Sequence, residues 1–449
     1  MDCLPDIALT AVVVASLPVC FRWPWIGVLV WCWLGFMNPH RWLHGFAADL
    51  HFSKLVGLAT LAGLPFTTER YRLPRTREVA LLLVFWGITL LSTLFTAIHP
   101  SAARASFVAV SKVWLMNVVV VTLLFQERRK IIALVWVLVV SLCVYSVGGA
   151  AWALTSGAGQ LLYGPPDSQI YDNNALAGAL VLLFPLLAFL HRQVAGRWLR
   201  GLLALVFAAN VLALGATYSR AGFLGGLVVA AGLAWARHYR LLVVAAITVV
   251  LIYSVHAIPQ EWGTRMATLT VRETAHTDSS AVTRINAWYV AWKLGTDHLL
   301  LGAGFVPFAP DVYEQYIPGY SDYHVAHNLF LEVFAEHGLS GLLAYGLLLT
   351  CTLLTLRRSA ARSRDVPEHQ WIANLATAVA VAMAGYLTTA LFHPFSYADL
   401  LFQCIAIAIL LDVLARRAQQ PAAPLLPGRL RAWLPAARPL GRGEAHARH

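Results

Sequence analysis

A chain of 449 residues with 59% hydrophobic and only 12% charged side chains is too apolar for a soluble fold, in which about a quarter of residues carry charge. Its mean hydropathy of +0.65 and its recurring apolar runs point to a polytopic membrane protein built from helices, which satisfy their own backbone within lipid. The net charge of +11 sits in short clusters between the runs and in a terminal tail, a pattern that argues for membrane orientation and against nucleic-acid binding.

Apolar runs fall near residues 5–20, 24–37, 53–66, 78–97, 106–125, 130–154, 173–191, 199–217, 221–236, 241–257, 339–356, 371–392 and 396–415. The first two are short against a hydrocarbon core of about 30 Å. They are divided by "RWP" and are read as a hairpin that need not cross fully. The expectation is an all-α polytopic membrane protein of about twelve transmembrane helices, with both termini cytoplasmic. No basic segment precedes the first run and "FRWP" follows it, so no cleavable signal peptide is expected. The six cysteines (Cys3, Cys20, Cys32, Cys143, Cys351 and Cys404) lie in or beside apolar runs and read as small core residues.

Basic clusters at 67–78, 126–130, 191–200, 237–240 and 357–364, with a further tail after Arg416, mark the cytoplasmic loops. The longest polar stretch, 258–338, then falls outside. The chain divides into an N-terminal transmembrane bundle (1–257), this loop, C-terminal transmembrane helices (339–415) and a basic tail (416–449) whose Pro, Ala and Arg content reads as disorder. In the loop, "AVTRINAWYVAWKLG" places Ile285, Trp288, Ala291 and Trp292 at helical spacing, as expected of an amphipathic helix along the membrane surface.

The loop ends in "HNLFLEVFAEHGLSG". His324 and His327 share a face if that backbone is helical. His337 follows His327 by ten residues, about 1000° of rotation, so the two point apart on a straight helix. Asn328 is placed to cap the helix, with Glu332 and Glu336 behind it. The residue types leave open a plain capped entrance or the rim of a site facing water. Arg220 stands between two apolar runs, and Arg265 and Arg284 stand in the loop. Their outward placement runs against the positive-inside bias, and guanidinium groups there suit phosphate oxygens.

Lys112, within "FVAVSKVWLMNVVV", reads as a buried cation, open between a phosphate contact and a carboxylate partner. Asp172, Asn173 and Asn174 open the seventh run as a cap. Gly302 and Gly304 lack the βαβ context of a nucleotide fingerprint. The His-x-x-His at 324 and 327 is a weak metal signal, because no HExxH or DxD stretch accompanies it in the loop. No metal is expected.

These residues resemble the O-antigen ligase/polymerase superfamily of bacterial envelope glycosyltransferases. Its ligases share a His, then Asn, Ser or Gln, nine variable residues and Gly-x-x-Gly. Here that pattern is His327, Asn328, residues 329–337, Gly338 and Gly341. Ser219-Arg220 matches an "SR" motif after a span, and "TR…RINAW…GAG" is similar to the family's large periplasmic loop. "PWIGVLVWCWLGFMNPHRW" resembles the exosortase-associated O-glycosylation ligase branch, so the resemblance covers nearly the whole chain.

The resemblance implies a GT-C-like fold in the bacterial inner membrane, with a large, partly helical periplasmic loop at 258–338 that carries the catalytic site. It implies transfer of a glycan from undecaprenyl diphosphate to lipid A–core oligosaccharide, while relatives polymerise repeat units or glycosylate proteins. His327 would be the base, with His337 the alternative and His324 third. Arg220, Arg265 and Arg284 would hold the diphosphate, with Lys112, Asn328, Glu332 and Glu336 as secondary candidates. The implied partners are the lipid-linked glycan donor, the lipid A–core acceptor and membrane lipids, without nucleic acid, metal or cofactor. A transporter would instead need ionisable residues near the midplane and paired interrupted helices.

Overall fold

The computed structural model describes residues 4–69, 71–156, 161–235 and 279–419. The expected run at 241–257, Arg265 and the terminal tail beyond 419 lie outside the described residues.

Helices occupy the other apolar runs: Leu4–Arg22, Pro24–Met37, Phe52–Gly63, Arg77–Phe95, Pro100–Leu124, Arg128–Thr155, Asn173–Gln193, Arg197–Ala216, Arg220–Trp235, Leu329–Ser363, Gln370–Ala390 and Asp399–Gln419. No strand occurs among the described residues. Eight of the described helices are long and apolar enough to cross a membrane. Leu4–Arg22 is one of them, so the first run is longer than its sequence suggested, while Pro24–Met37 is not.

The Asn173–Gln193 helix is buried at every position from Ala175 to Leu190, as a helix that is apolar all round should be. It packs against Arg128–Thr155, Arg197–Ala216, Arg220–Trp235 and Gln370–Ala390. Lipid tails are as apolar as the helices, so association relies on close packing and a few buried hydrogen bonds. Asn210 supplies two of them, accepting from Ser146 Oγ at 2.7 Å and donating to the Leu180 carbonyl at 2.9 Å.

The two ends of the bundle differ. At one end basic residues meet carboxylates: Lys130 pairs with Glu69 at 3.0 Å and Glu127 at 3.3 Å, and Asp412 takes Arg362 and Arg416. His327 and the 391–398 connection lie at the starts of the two helices whose far ends carry Arg362 and Asp412, while Asp172 and Arg220 lead two further helices.

The Leu329–Ser363 helix breaks at Gly338, whose φ of 64° and ψ of −164° are non-helical. A Cβ at this glycine would lie 2.6 Å from the Leu299 carbonyl oxygen and 2.7 Å from the Gly302 amide nitrogen, so neither the conformation nor the space admits a side chain. The break frees the last carbonyls of the first segment, and the 302–304 turn uses them. The Ala303 amide donates to Ala335 O at 2.8 Å, and the Gly304 amide to Glu336 O at 2.9 Å. In return the Leu339 amide donates to Leu299 O at 2.7 Å. Gly302, at φ 69°, presses its own backbone against that of Glu336 and His337. The Gly-x-x-Gly and "GAG" stretches are thus the two sides of one backbone contact, which answers the orphan groups of a broken helix.

The expected amphipathic helix is Ser279–Asp297, with its facing corrected. Ala287, Val290, Ala291 and Leu294 are buried, whereas Ile285 and Trp292 are exposed. The small residues let it pack on the Leu329–Ser363 helix, where the rings of Trp292 and Phe334 have centroids 5.5 Å apart.

Candidate active site

His327 is not on a helix. It has a left-handed φ of 44° and immediately precedes the cap, and such a backbone costs a non-glycine residue about 1–3 kcal/mol. The Asn328 side chain accepts from the Phe330 and Leu331 amides at 3.0 and 3.1 Å. Its Nδ2 donates to the Leu391 carbonyl at 3.0 Å. One residue therefore starts the helix and ties the 391–398 connection beside His327.

The rings of His324 and His393 flank that of His327, at centroid distances of 5.7 and 5.8 Å. The first contact arises without the helix that the three-residue spacing invited, since residues 321–326 are irregular. Each flanking histidine faces a carboxylate. His324 Nε2 is 2.8 Å from Asp322 Oδ1, and His393 Nδ1 is 3.6 Å from Asp172 Oδ1.

The two carboxylates lead to Arg284 and Arg220. Asp322 Oδ2 accepts from Thr283 Oγ1 at 2.9 Å, next to Arg284. Asp172 Oδ1 accepts from Asn174 Nδ2 at 3.1 Å, and Asn174 Oδ1 accepts from Ser219 Oγ at 2.7 Å, next to Arg220. Asn173 adds a bond to the Thr217 carbonyl at 2.8 Å. Ser219 caps its own helix through the Gly222 amide at 3.0 Å, so Arg220 stands at a helix N-terminus, where partial positive charge favours anions. Asp172, Asn173 and Asn174 were legible as a cap, and Asp172 does accept the Asn174 and Ala175 amides. The clasp of both asparagines on the Arg220 turn was not legible.

Electrostatics acts strongly on His327. Burial, and then the positive charge of Arg284 and the neighbouring His324, lower its pKa to about 4, against an opposing pull from Asp172. Burial lowers that of His393 too, with Asp172 opposing and His327 and Arg284 adding to the effect. His327 is therefore a neutral imidazole at neutral pH, ready to accept a proton.

His337 belongs to another environment. It is fully buried, with Nδ1 3.2 Å from Ser92 Oγ and its ring edge-on to Phe305 and Phe85 at 4.6 and 5.9 Å. Glu336 accepts from Tyr397 Oη at 2.5 Å and from the Val306 amide at 2.9 Å, and Glu332 accepts from Ser396 Oγ at 2.5 Å. These bonds fasten the 302–306 and 391–398 segments to the helix. Lys112, expected to be buried, is exposed on the Pro100–Leu124 helix and enters neither cluster, because the helix turns it away from the core that takes Trp114 and Met116.

His393 escaped the sequence reading. Its only signal was "FHPFSY", a polar and proline-containing interruption between the last two apolar runs. Among the described residues, no group of three or more His, Cys, Asp or Glu side chains is arranged to hold a metal ion.

Comparison with known families gives two matches. Residues 203–346 match the family model described as O-antigen ligase, and residues 4–195 match a family of unknown function, DUF5935. No curated protein matches the chain. Arg220, Arg284, His324, His327 and the Gly338 break lie in the first match, Asp172 in the second, and His393 in neither.

Proposed function

We propose that this chain, whose residues 203–346 match the O-antigen ligase family model, is a member of that superfamily and transfers a glycan from undecaprenyl diphosphate to lipid A–core oligosaccharide. The observation that carries the reading is His327, neutral and flanked by two carboxylate-facing histidines, on a side-chain path that ends beside Arg220 and Arg284. We place this end of the bundle at the periplasmic face of the bacterial inner membrane, within about twelve spans, and keep 258–338 as the periplasmic loop.

In the reaction, His327 takes the proton of the acceptor hydroxyl while that oxygen bonds to the anomeric carbon. The carbon–oxygen bond to the diphosphate breaks, and its electron pair leaves with undecaprenyl diphosphate. A single in-line displacement inverts the anomeric centre. Arg220, Arg284 and, by the family motif, Arg265 offset the leaving charge. That charge also acts on the base: a diphosphate beside Arg284 cancels the field that depresses His327 and strengthens it when donor is bound. Positioned arginines supply the cationic stabilisation, so the reaction proceeds without a metal or cofactor.

The deciding experiment is transfer from purified undecaprenyl-diphosphate-linked glycan to rough lipopolysaccharide by the purified protein, with and without EDTA. The expected product is glycosylated lipid A–core of inverted linkage, formed equally in EDTA. Glycan chains lengthened on the donor alone would make it a polymerase, and transfer only to added protein a protein O-oligosaccharyltransferase. An EDTA loss restored by a divalent ion would overturn the metal-free mechanism.

A further inference from the structure

His327 needs a counter-charge. When it takes a proton it becomes an imidazolium next to Arg284 and His324, both of which disfavour that charge. Asp322 is already engaged by Thr283 and His324. The carboxylate that acts on His327 and His393 in the favourable direction is Asp172, although its Oδ1 also accepts from Asn174 and Ala175. His393 stands between them, with its Nδ1 3.6 Å from Asp172 and its ring 5.8 Å from that of His327. Nδ1 of His327 and Nδ1 of His393 are both buried without a hydrogen-bond partner, an arrangement that is costly unless a function uses it.

The connection that carries His393 is held more firmly than a link between two helices requires. Asn328 holds it at Leu391, Tyr345 Oη donates to the Ser396 carbonyl at 2.8 Å, and Ser396 and Tyr397 are bonded to Glu332 and Glu336. Phe395 stacks on Tyr386 at 4.9 Å and backs His393 at 4.4 Å. The ring is thereby held against Asp172.

We propose that Asp172 and His393 form a carboxylate–imidazole pair that positions His327 and offsets the charge it acquires, making both positioning residues of the transfer reaction. The inference rests on His327 being the base. The logic is that of any base whose ring is oriented by a second group that in turn faces a carboxylate. With Nδ1–H directed at Asp172, His393 presents Nε2 as an acceptor. The groups facing the pair are His327, Asn174 from the Asn173–Gln193 helix start, Arg284 from Ser279–Asp297, His324 and Asp322 from the preceding loop, and the Ser219–Arg220 corner.

The test uses the full-length protein in detergent, with undecaprenyl-diphosphate-linked glycan and rough lipopolysaccharide as substrates and His327→Ala as reference. Asp172→Asn keeps an oxygen for the helix cap and removes only the charge. Its single-turnover rate should fall about 10- to 100-fold, as for a mispositioned catalytic group, with donor affinity unchanged. The acid limb of its rate should move to lower pH, because an imidazolium without its carboxylate loses its proton more readily. His393→Asn should lose the same factor, and the double variant no more than either single one. Wild-type rate and pH limb in Asp172→Asn, with His327→Ala inactive, would overturn the inference and leave the base assignment standing. Full activity in His327→Ala would overturn the base assignment and the inference together. If His393→Asn fails to accumulate, Asp172→Asn decides alone.

Discussion

The stretch 324–337 feeds two polar clusters that a sequence-level eye would merge. The first, around His327, is irregular in backbone, partly open and mixed in charge, with imidazoles, carboxylates and arginines alternating along a path. The second, around Glu332, Glu336 and His337, is helical and buried, and its carboxylates are bonded to Ser396, Tyr397 and the Val306 amide. Both contain acid and base residues. The difference teaches that burial with internal partners marks a fastening, whereas imidazole beside cations at an open end is the arrangement that the proposed transfer requires.

Breaking the two clusters separately should give opposite phenotypes. His327→Ala should reach the membrane at normal abundance and lose roughly 10²–10⁴ of single-turnover rate, the usual worth of an acid–base group. His337→Ala should instead destabilise by about 2–4 kcal/mol through the cavity it leaves, read as a lower unfolding temperature in detergent, with transfer per folded molecule largely kept. The reverse result would move the base ten residues along the chain.

Arginine replacements come next in size. Arg220→Ala and Arg284→Ala should each weaken donor use by about 1.5–3 kcal/mol, the worth of a charge-assisted contact, measured as donor Kd and single-turnover rate. Lysine at either position should recover only part, because it lacks the bidentate fork. Wild-type behaviour in both alanine variants would remove the diphosphate from this end of the bundle.

Tyr397→Phe probes the fastening more gently. It takes one hydrogen bond from a buried carboxylate and should cost about 1–3 kcal/mol in stability. The change in transfer rate at a temperature where the variant is folded should be small. A rate loss as large as that of His327→Ala would mean that the second cluster takes part in the reaction.

The smallest effect expected is in pH dependence. With the His327 pKa lowered to about 4 by burial, Arg284 and His324, the neutral base persists below the usual histidine range. The acid limb of kcat/KM should therefore fall well under pH 6. The limb of kcat, which reports the donor-bound state, should lie higher, because the diphosphate offsets Arg284. Coincident limbs near the ordinary histidine value would show that the base is a solvated group elsewhere.

Local chemistry made much of this protein readable from its residues. Apolar runs long enough to span, cationic clusters at alternate ends, the Asn328 and Asp172 caps and the His-Asn…Gly-x-x-Gly spacing all depend on interactions within a few residues, and helices in lipid satisfy their own backbone. What the linear order could not carry was which long-range partners meet. His327 meets the rings of His324 and His393, whereas His337 meets Ser92, Phe85 and Phe305, partners that no helical period relates to either. The outward turn of Lys112 and the inward face of Ser279–Asp297 were set by neighbouring helices. His393, 66 residues after His327 in sequence, reaches it because Asn328 holds the Leu391 carbonyl. Only packing decides such a contact, since a loop's course depends on the groups at both of its anchored ends.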